Sequence, residues 1–213
     1  SETIIHETGH LLGLDDYYDY DSTKGPLGGL GGVDMMDTSW GDHNSYSKAL
    51  LGWIEPQIIK EDATITLNSF TETGEVIFIY RNYQDTLFGE HIAIELYTPT
   101  NLNEIRAKKN DLFSIVGVRI LHVNSILNFE TSITNVYDIT KYNNGNADYK
   151  LISLVEADGD GSILNGASAK NSDLFQAKDV FTNYKWHDET VVNFDIIINS
   201  ISNNQASITI DFK

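Results

Sequence analysis

From residue 60 to its end the chain is a succession of short runs in which apolar and β-branched residues recur: ATITLNSF, EVIFIYRN, EHIAIELYT, VGVRILHV, YKLISLVEA, VVNFDIIINSI and QASITIDF. Alternation with a period of two gives a strand one inward and one outward face, and turn-forming residues separate the runs. Seven such strands argue for a mostly antiparallel β region. Before residue 60 the pattern is helical. Over TIIHETGHLL, at ~100° per residue, Ile4, Ile5, Leu11 and Leu12 fall on one side and His6 and His10 on the other. The helix is therefore expected to pack by its aliphatic back and to show its histidines. Gly13 suits a C-terminal cap, and DDYYDYDSTKGPLGGLGG is too polar and glycine-rich for regular structure, so it reads as a long ordered loop. A short second helix is expected over residues 46–51, capped by Asp42, Asn44 or Ser45, closed by Gly52 and stopped by Pro56. The fold class is α+β, mostly β. A boundary near residues 56–62 divides 1–58 from a β-rich 59–213 that continues the same domain or forms its own.

Composition narrows the partners. Acids outnumber bases 31 to 14 and the net charge is -17, so the phosphates of nucleic acid and of anionic membrane surfaces are repelled, and cations are favoured. With no cysteine, disulfides and thiolate metal sites are excluded, which leaves imidazole and carboxylate as strong ligands. No apolar run approaches the ~20 residues of a membrane helix, and the first residues carry no signal-peptide pattern.

The histidines are spaced for a metal. Residues four apart on a helix sit side by side, so His6 and His10 can place two imidazole nitrogens on one zinc ion while Glu7 projects next to it. HExxH alone is a weak signal, but here it extends to HExxHxxGxxD. Gly13 lets the chain turn back, and Asp16 can then reach the same ion.

The extended motif followed by GGVDMMD resembles the metzincin-like zinc peptidases, and more closely the immune inhibitor A family of secreted bacterial metallopeptidases. HETGHLLGLDDYYD, GGVDMMD, YSKALLGWIEP, EHIAIELYTP, VGVRILHVN, SLVEADGDG with SDLF, and ISNNQASITIDF carry the likeness across nearly the whole chain. The resemblance implies a zinc-dependent endopeptidase acting on protein or peptide substrates, secreted and bacterial. His6, His10 and Asp16 would be the zinc ligands, Glu7 the general base and Met36 the methionine beneath the metal. Strand-like alternation would point Met35 and Met36 to opposite sides. Asp15 replaces the family's proline, so two adjacent carboxylates compete as third ligand, and Val33 stands where tryptophan is expected. The resemblance further implies that residues 1–58 are the C-terminal part of a catalytic domain whose substrate-pairing sheet lies upstream, so this chain alone is expected to be a weak or inactive peptidase.

Other residues are candidates of lower rank. Tyr46 and His43 could contact the oxyanion or substrate. Asp158 and Asp160 in DGDGSILNG, and Asp19 and Asp21 after the first helix, could hold calcium, since hard cations prefer clustered oxygens. His91 and His122 lie in strands and read as core or cross-strand partners. A carbohydrate-binding reading would rest on Trp186 and scattered tyrosines. The main rival to catalysis is a β-rich binding or adhesion module with a vestigial metal site. A further rival is an intact fold that uses its metal only structurally.

Overall fold

A computed structural model describes residues 2–129, 139–145 and 148–213. Its helices are α1 (Glu2–Leu11), α2 (Met35–Thr38), α3 (Ser45–Leu50), α4 (Phe70–Thr73) and α5 (Glu104–Ala107). Its strands are β1 (Gln57–Ile58), β2 (Ala63–Asn68), β3 (Ile77–Tyr80), β4 (Gly89–Tyr97), β5 (Gly117–Ser125), β6 (Ile152–Leu154), β7 (Val180–Phe181), β8 (Phe194–Ile201) and β9 (Gln205–Phe212). The fold is α+β and mostly β. Each of the seven expected runs contains a strand, while β1 and β7, two residues each, are too short to leave a pattern. None of the described helices is long and apolar enough to cross a membrane.

The strands form two sheets. One runs β1-β3-β4-β5-β6, antiparallel except for the β1–β3 pair, and the other runs β2-β9-β8-β7, all antiparallel. Alternation along β3, β4 and β5 explains the layering. Ile77, Ile79, Ile92, Ile94 and Ile120 face the second sheet, where Ile196, Ile198, Ile208 and Ile210 meet them. Phe78, Ala93, Leu121 and Val123 face the other way, onto Leu14, Tyr17, Leu30, Met36 and Tyr46 of the N-terminal segment. The first sheet is thus buried on both faces, and residues on either side of the expected 58/59 boundary share one core.

Polar groups lock the N-terminal layer to the sheet. Glu95 of β4 and Arg119 of β5 are opposite each other in register and form a buried ion pair. Arg119 also donates to the Val33 carbonyl at 3.0 Å, and Glu95 accepts the Ser45 amide at 3.1 Å. One pair therefore fastens the entries to α2 and α3. Removing one partner leaves an uncompensated buried charge, so Arg119→Met should cost about 3–5 kcal/mol in urea unfolding.

His91, on the same sheet, is fully buried against Phe78, Tyr80 and Tyr46. Its Nδ1 donates to the Gly89 carbonyl at 3.0 Å. Burial holds its pKa down at about 3, whereas the unfolded chain protonates it near ~6.5. The unfolded state then binds the extra proton, so this residue's contribution to stability falls as pH drops from ~6.5 towards 3. Urea midpoints measured between pH 7 and 5 should decline less steeply in His91→Leu than in the parent.

Candidate metal centre

The first helix packs by the face opposite to the expected one. His6 and Gly9 are its buried residues, while Ile4 is 66% and Leu11 87% exposed, and Ile5 and Leu12 are also open. The reason is a close approach that only glycine permits. A Cβ on Gly9 would lie 2.5 Å from the Met36 sulfur, so the helix rests on Met36 through its side-chain-free position. Glu2 at the start of the helix is tied to Arg106 of α5, with Nε–H donating to Oε1 at 2.9 Å.

The same contact orients the histidines. His6 Nδ1 lies 2.7 Å from the Met35 carbonyl and His10 Nδ1 lies 2.8 Å from the Leu14 carbonyl. A carbonyl can only accept, so each Nδ1 carries a proton, which leaves Nε2 as the nitrogen through which either ring can bind a metal. Both Nε2 atoms converge on one oxygen, Asp16 Oδ1, at 3.1 Å from His6 and 3.3 Å from His10. His6, His10 and Asp16 offer ligand atoms within 4.8 Å of one another. Glu7 lies on the exposed side of the helix beside them.

Gly13 and Tyr17 bring Asp16 into place. Gly13 takes φ +96°, its amide bonds to the His10 carbonyl at 3.0 Å, and Leu14 N–H returns to the Gly9 carbonyl at 3.0 Å, which turns the chain back under the helix. Tyr17, directly after Asp16, is buried; its amide donates to the Met36 carbonyl at 2.8 Å and its hydroxyl pairs with Ser47 Oγ at 2.8 Å. Asp16 joins the histidines, whereas the competing Asp15 is exposed and borders a small cavity of about 40 Å³ together with Tyr46.

The methionines lie in a helical turn, not in a strand. Asp34 caps α2 by accepting Met36 N–H at 2.8 Å, and its other oxygen accepts the Asn44 amide at 2.9 Å and side chain at 3.0 Å. This carboxylate outweighs the expected alternation, because it offers the turn its capping acceptor. Asn44 in turn caps α3 by accepting Ser47 N–H at 3.0 Å. Asp37 accepts the Leu30 and Gly32 amides at 2.8 and 2.7 Å, and burial pushes its carboxyl up to about 6.

The candidate substrate contacts fare differently from the ligands. Tyr46 is buried, with its hydroxyl directed to Ser125, and burial raises its pKa. It belongs to the core because its position on α3 faces the sheet. His43 is buried as well, with Cε1 3.6 Å from the Gly9 Cβ position and its ring edge-on to Trp53. It supports the underside of α1. Burial lowers its pKa. Asp19 pairs with the buried Lys150 at 2.9 Å and Asp21 receives the Thr23 amide at 3.2 Å, so turn formation and charge pairing use the two acids once offered to calcium. Asp160 bonds Lys170 at 2.5 Å. Trp186 is buried against His122 and Phe194, which removes it as a carbohydrate platform; His122 pairs with Glu90 at 3.0 Å.

No protein-family model, curated protein or solved structure matches the chain.

Two participants escaped the sequence reading. Gly9 carried a signal, because a glycine inside a helix costs roughly 1 kcal/mol against alanine and so implies a packing reason. Tyr18 is exposed beside Asp16; burial, then the Asp16 charge, raises its pKa. Nothing in its spacing marked it. Gly9→Ala should lower stability by about 1–3 kcal/mol through overpacking, although alanine is the better helix former. In a Met36→Ala background the cost of Gly9→Ala should shrink in thermal unfolding, whereas an unchanged cost would refute the contact.

Proposed function

We propose that the chain binds zinc through His6, His10 and Asp16 and belongs to a zinc-dependent endopeptidase of the immune inhibitor A kind, secreted by a bacterium. One observation carries the reading. Two imidazoles, each held at Nδ1 by a backbone carbonyl, turn their Nε2 atoms onto the same carboxylate oxygen. Three such ligands suit a catalytic zinc site, which keeps a further position open, and the carbonyl bonds are the usual outer partners of zinc-bound histidine. When bound, zinc supplies Lewis acidity that polarises a carbonyl and acidifies water.

The side chains have separate tasks. Glu7 stands exposed beside the ligands, where its carboxylate can accept a proton from attacking water and deliver it to the departing amine nitrogen. Tyr18, exposed beside Asp16, can donate its hydroxyl hydrogen to that carboxylate. Met36, buried beneath Gly9, excludes water from under the helix.

Zinc-supplemented protein should hold about one equivalent of zinc by elemental analysis. His6→Ala and Asp16→Ala should lose it, and Asp15→Asn should keep it. Cleavage of an unfolded protein should be abolished by chelator. In Glu7→Gln it should fall by roughly 10²- to 10⁴-fold with the metal still bound. The chain by itself is expected to cleave weakly, so the deciding comparison is the full-length protein: zinc binding there without any Glu7-dependent cleavage would leave a structural metal site and overturn the catalytic reading.

A further inference from the structure

The segment between β6 and β7 holds a second convergence of ligands, distinct from the histidines. Glu156, Asp158 and Asp173 each bring an oxygen within 4.8 Å of the others. Asp173 is fully buried, and only one of its oxygens is used among the described residues: Oδ2 accepts the Lys170 amide at 2.7 Å, while Oδ1 has no hydrogen-bond partner. A buried carboxylate oxygen without a donor is costly, and native proteins rarely leave one so. Lys170 does not resolve the cost. Its half-exposed ammonium pairs with Asp158 at 3.1 Å and Asp160 at 2.5 Å and leaves Asp173 Oδ1 without a partner.

The donor set selects the cation. Carboxylate oxygens without imidazole or thiolate suit a hard divalent ion over zinc. Calcium accepts irregular oxygen cages, whereas magnesium retains most of its water, which a buried Asp173 cannot accommodate. We propose that Glu156, Asp158 and Asp173 form a calcium site that fastens the 156–173 segment. Asp160 is not a ligand.

Such a site would act on the N-terminal layer through the backbone. The Leu27 and Gly28 amides donate to the Leu164 carbonyl at 3.0 and 3.3 Å, and Ala169 N–H donates to the Gly31 carbonyl at 2.8 Å. A Cβ on Gly28 would lie 1.6 Å from the Ile163 carbonyl oxygen, so the two loops touch backbone to backbone. The glycine loop also supplies the Leu30 and Gly32 amides that hold Asp37. A cation bound among these acids thus braces the turn beneath the histidines.

The test is thermal unfolding of metal-stripped protein with and without CaCl₂, repeated on a His6→Ala/His10→Ala background so that the histidine site cannot contribute. At a hundredfold excess over Kd the midpoint should rise by roughly 5–10 °C. The rise should be absent in Asp173→Asn, whose amide oxygen can still accept the Lys170 amide, and in Glu156→Gln, which decides the matter if the first variant does not fold. Asp160→Asn should keep it, and MgCl₂ should give a smaller rise. No calcium-dependent shift in the parent, a shift surviving in Glu156→Gln, or an equal response to magnesium would overturn the proposal.

Discussion

The buried Glu95–Arg119 pair is the constraint on which the arrangement of this molecule turns. Two charges out of water are tolerable only when their remaining hydrogen-bonding capacity is filled, and here the fillers are the Val33 carbonyl and the Ser45 amide. The pair joins neighbouring strands at one end and the N-terminal layer at the other. From Val33 the path is short: Asp34 caps α2, Met35 offers its carbonyl to His6, and Met36 offers its carbonyl to Tyr17. Two successive carbonyls of one helical turn therefore hold the segment bearing the histidines and the segment bearing Asp16. The registry of the sheet is transmitted to the ligands through backbone groups, which have little freedom to drift.

The methionine side chain and the glycine above it complete that device. The helix could have met the protein by its aliphatic residues, which would have buried more apolar area. Instead the Gly9–Met36 contact and the Met35–His6 bond draw the histidine side inward. Directional bonds and a close approach decide which side packs, while the hydrophobic pattern alone points the other way.

That conflict shows what could be read from the chain itself. Strands β2, β3, β4, β5, β8 and β9 were legible because alternating β-branched residues at period two leave few other options. The partnership of His6, His10 and Asp16 was legible because helical spacing and a glycine turn fix it locally. What stayed hidden depends on residues distant in sequence. The inward side of α1 is decided by Met36, the helical form of residues 35–38 by Asn44 and Asp34 together, and the burial of Tyr46 by the sheet. Likewise Asp158 was noticed for its acidic neighbours, but its companions Glu156 and Asp173 come from opposite ends of a loop.

The long connection has a consequence for biosynthesis. Strand β2 pairs with β9 through residues as far apart as Thr64 and Thr209, separated by 145 positions, and the glycine loop near residue 30 docks on a segment near 165. Loop closure over such distances is slow, and a nascent chain lengthens by only ~5–20 residues each second. The histidine-bearing helix is synthesised well before Glu95 and Arg119, the pair that fastens the turn beneath it. Until those strands are made, the turn beneath the histidines is not anchored, so the convergence of His6 and His10 on Asp16 is a product of the finished fold and not its nucleus.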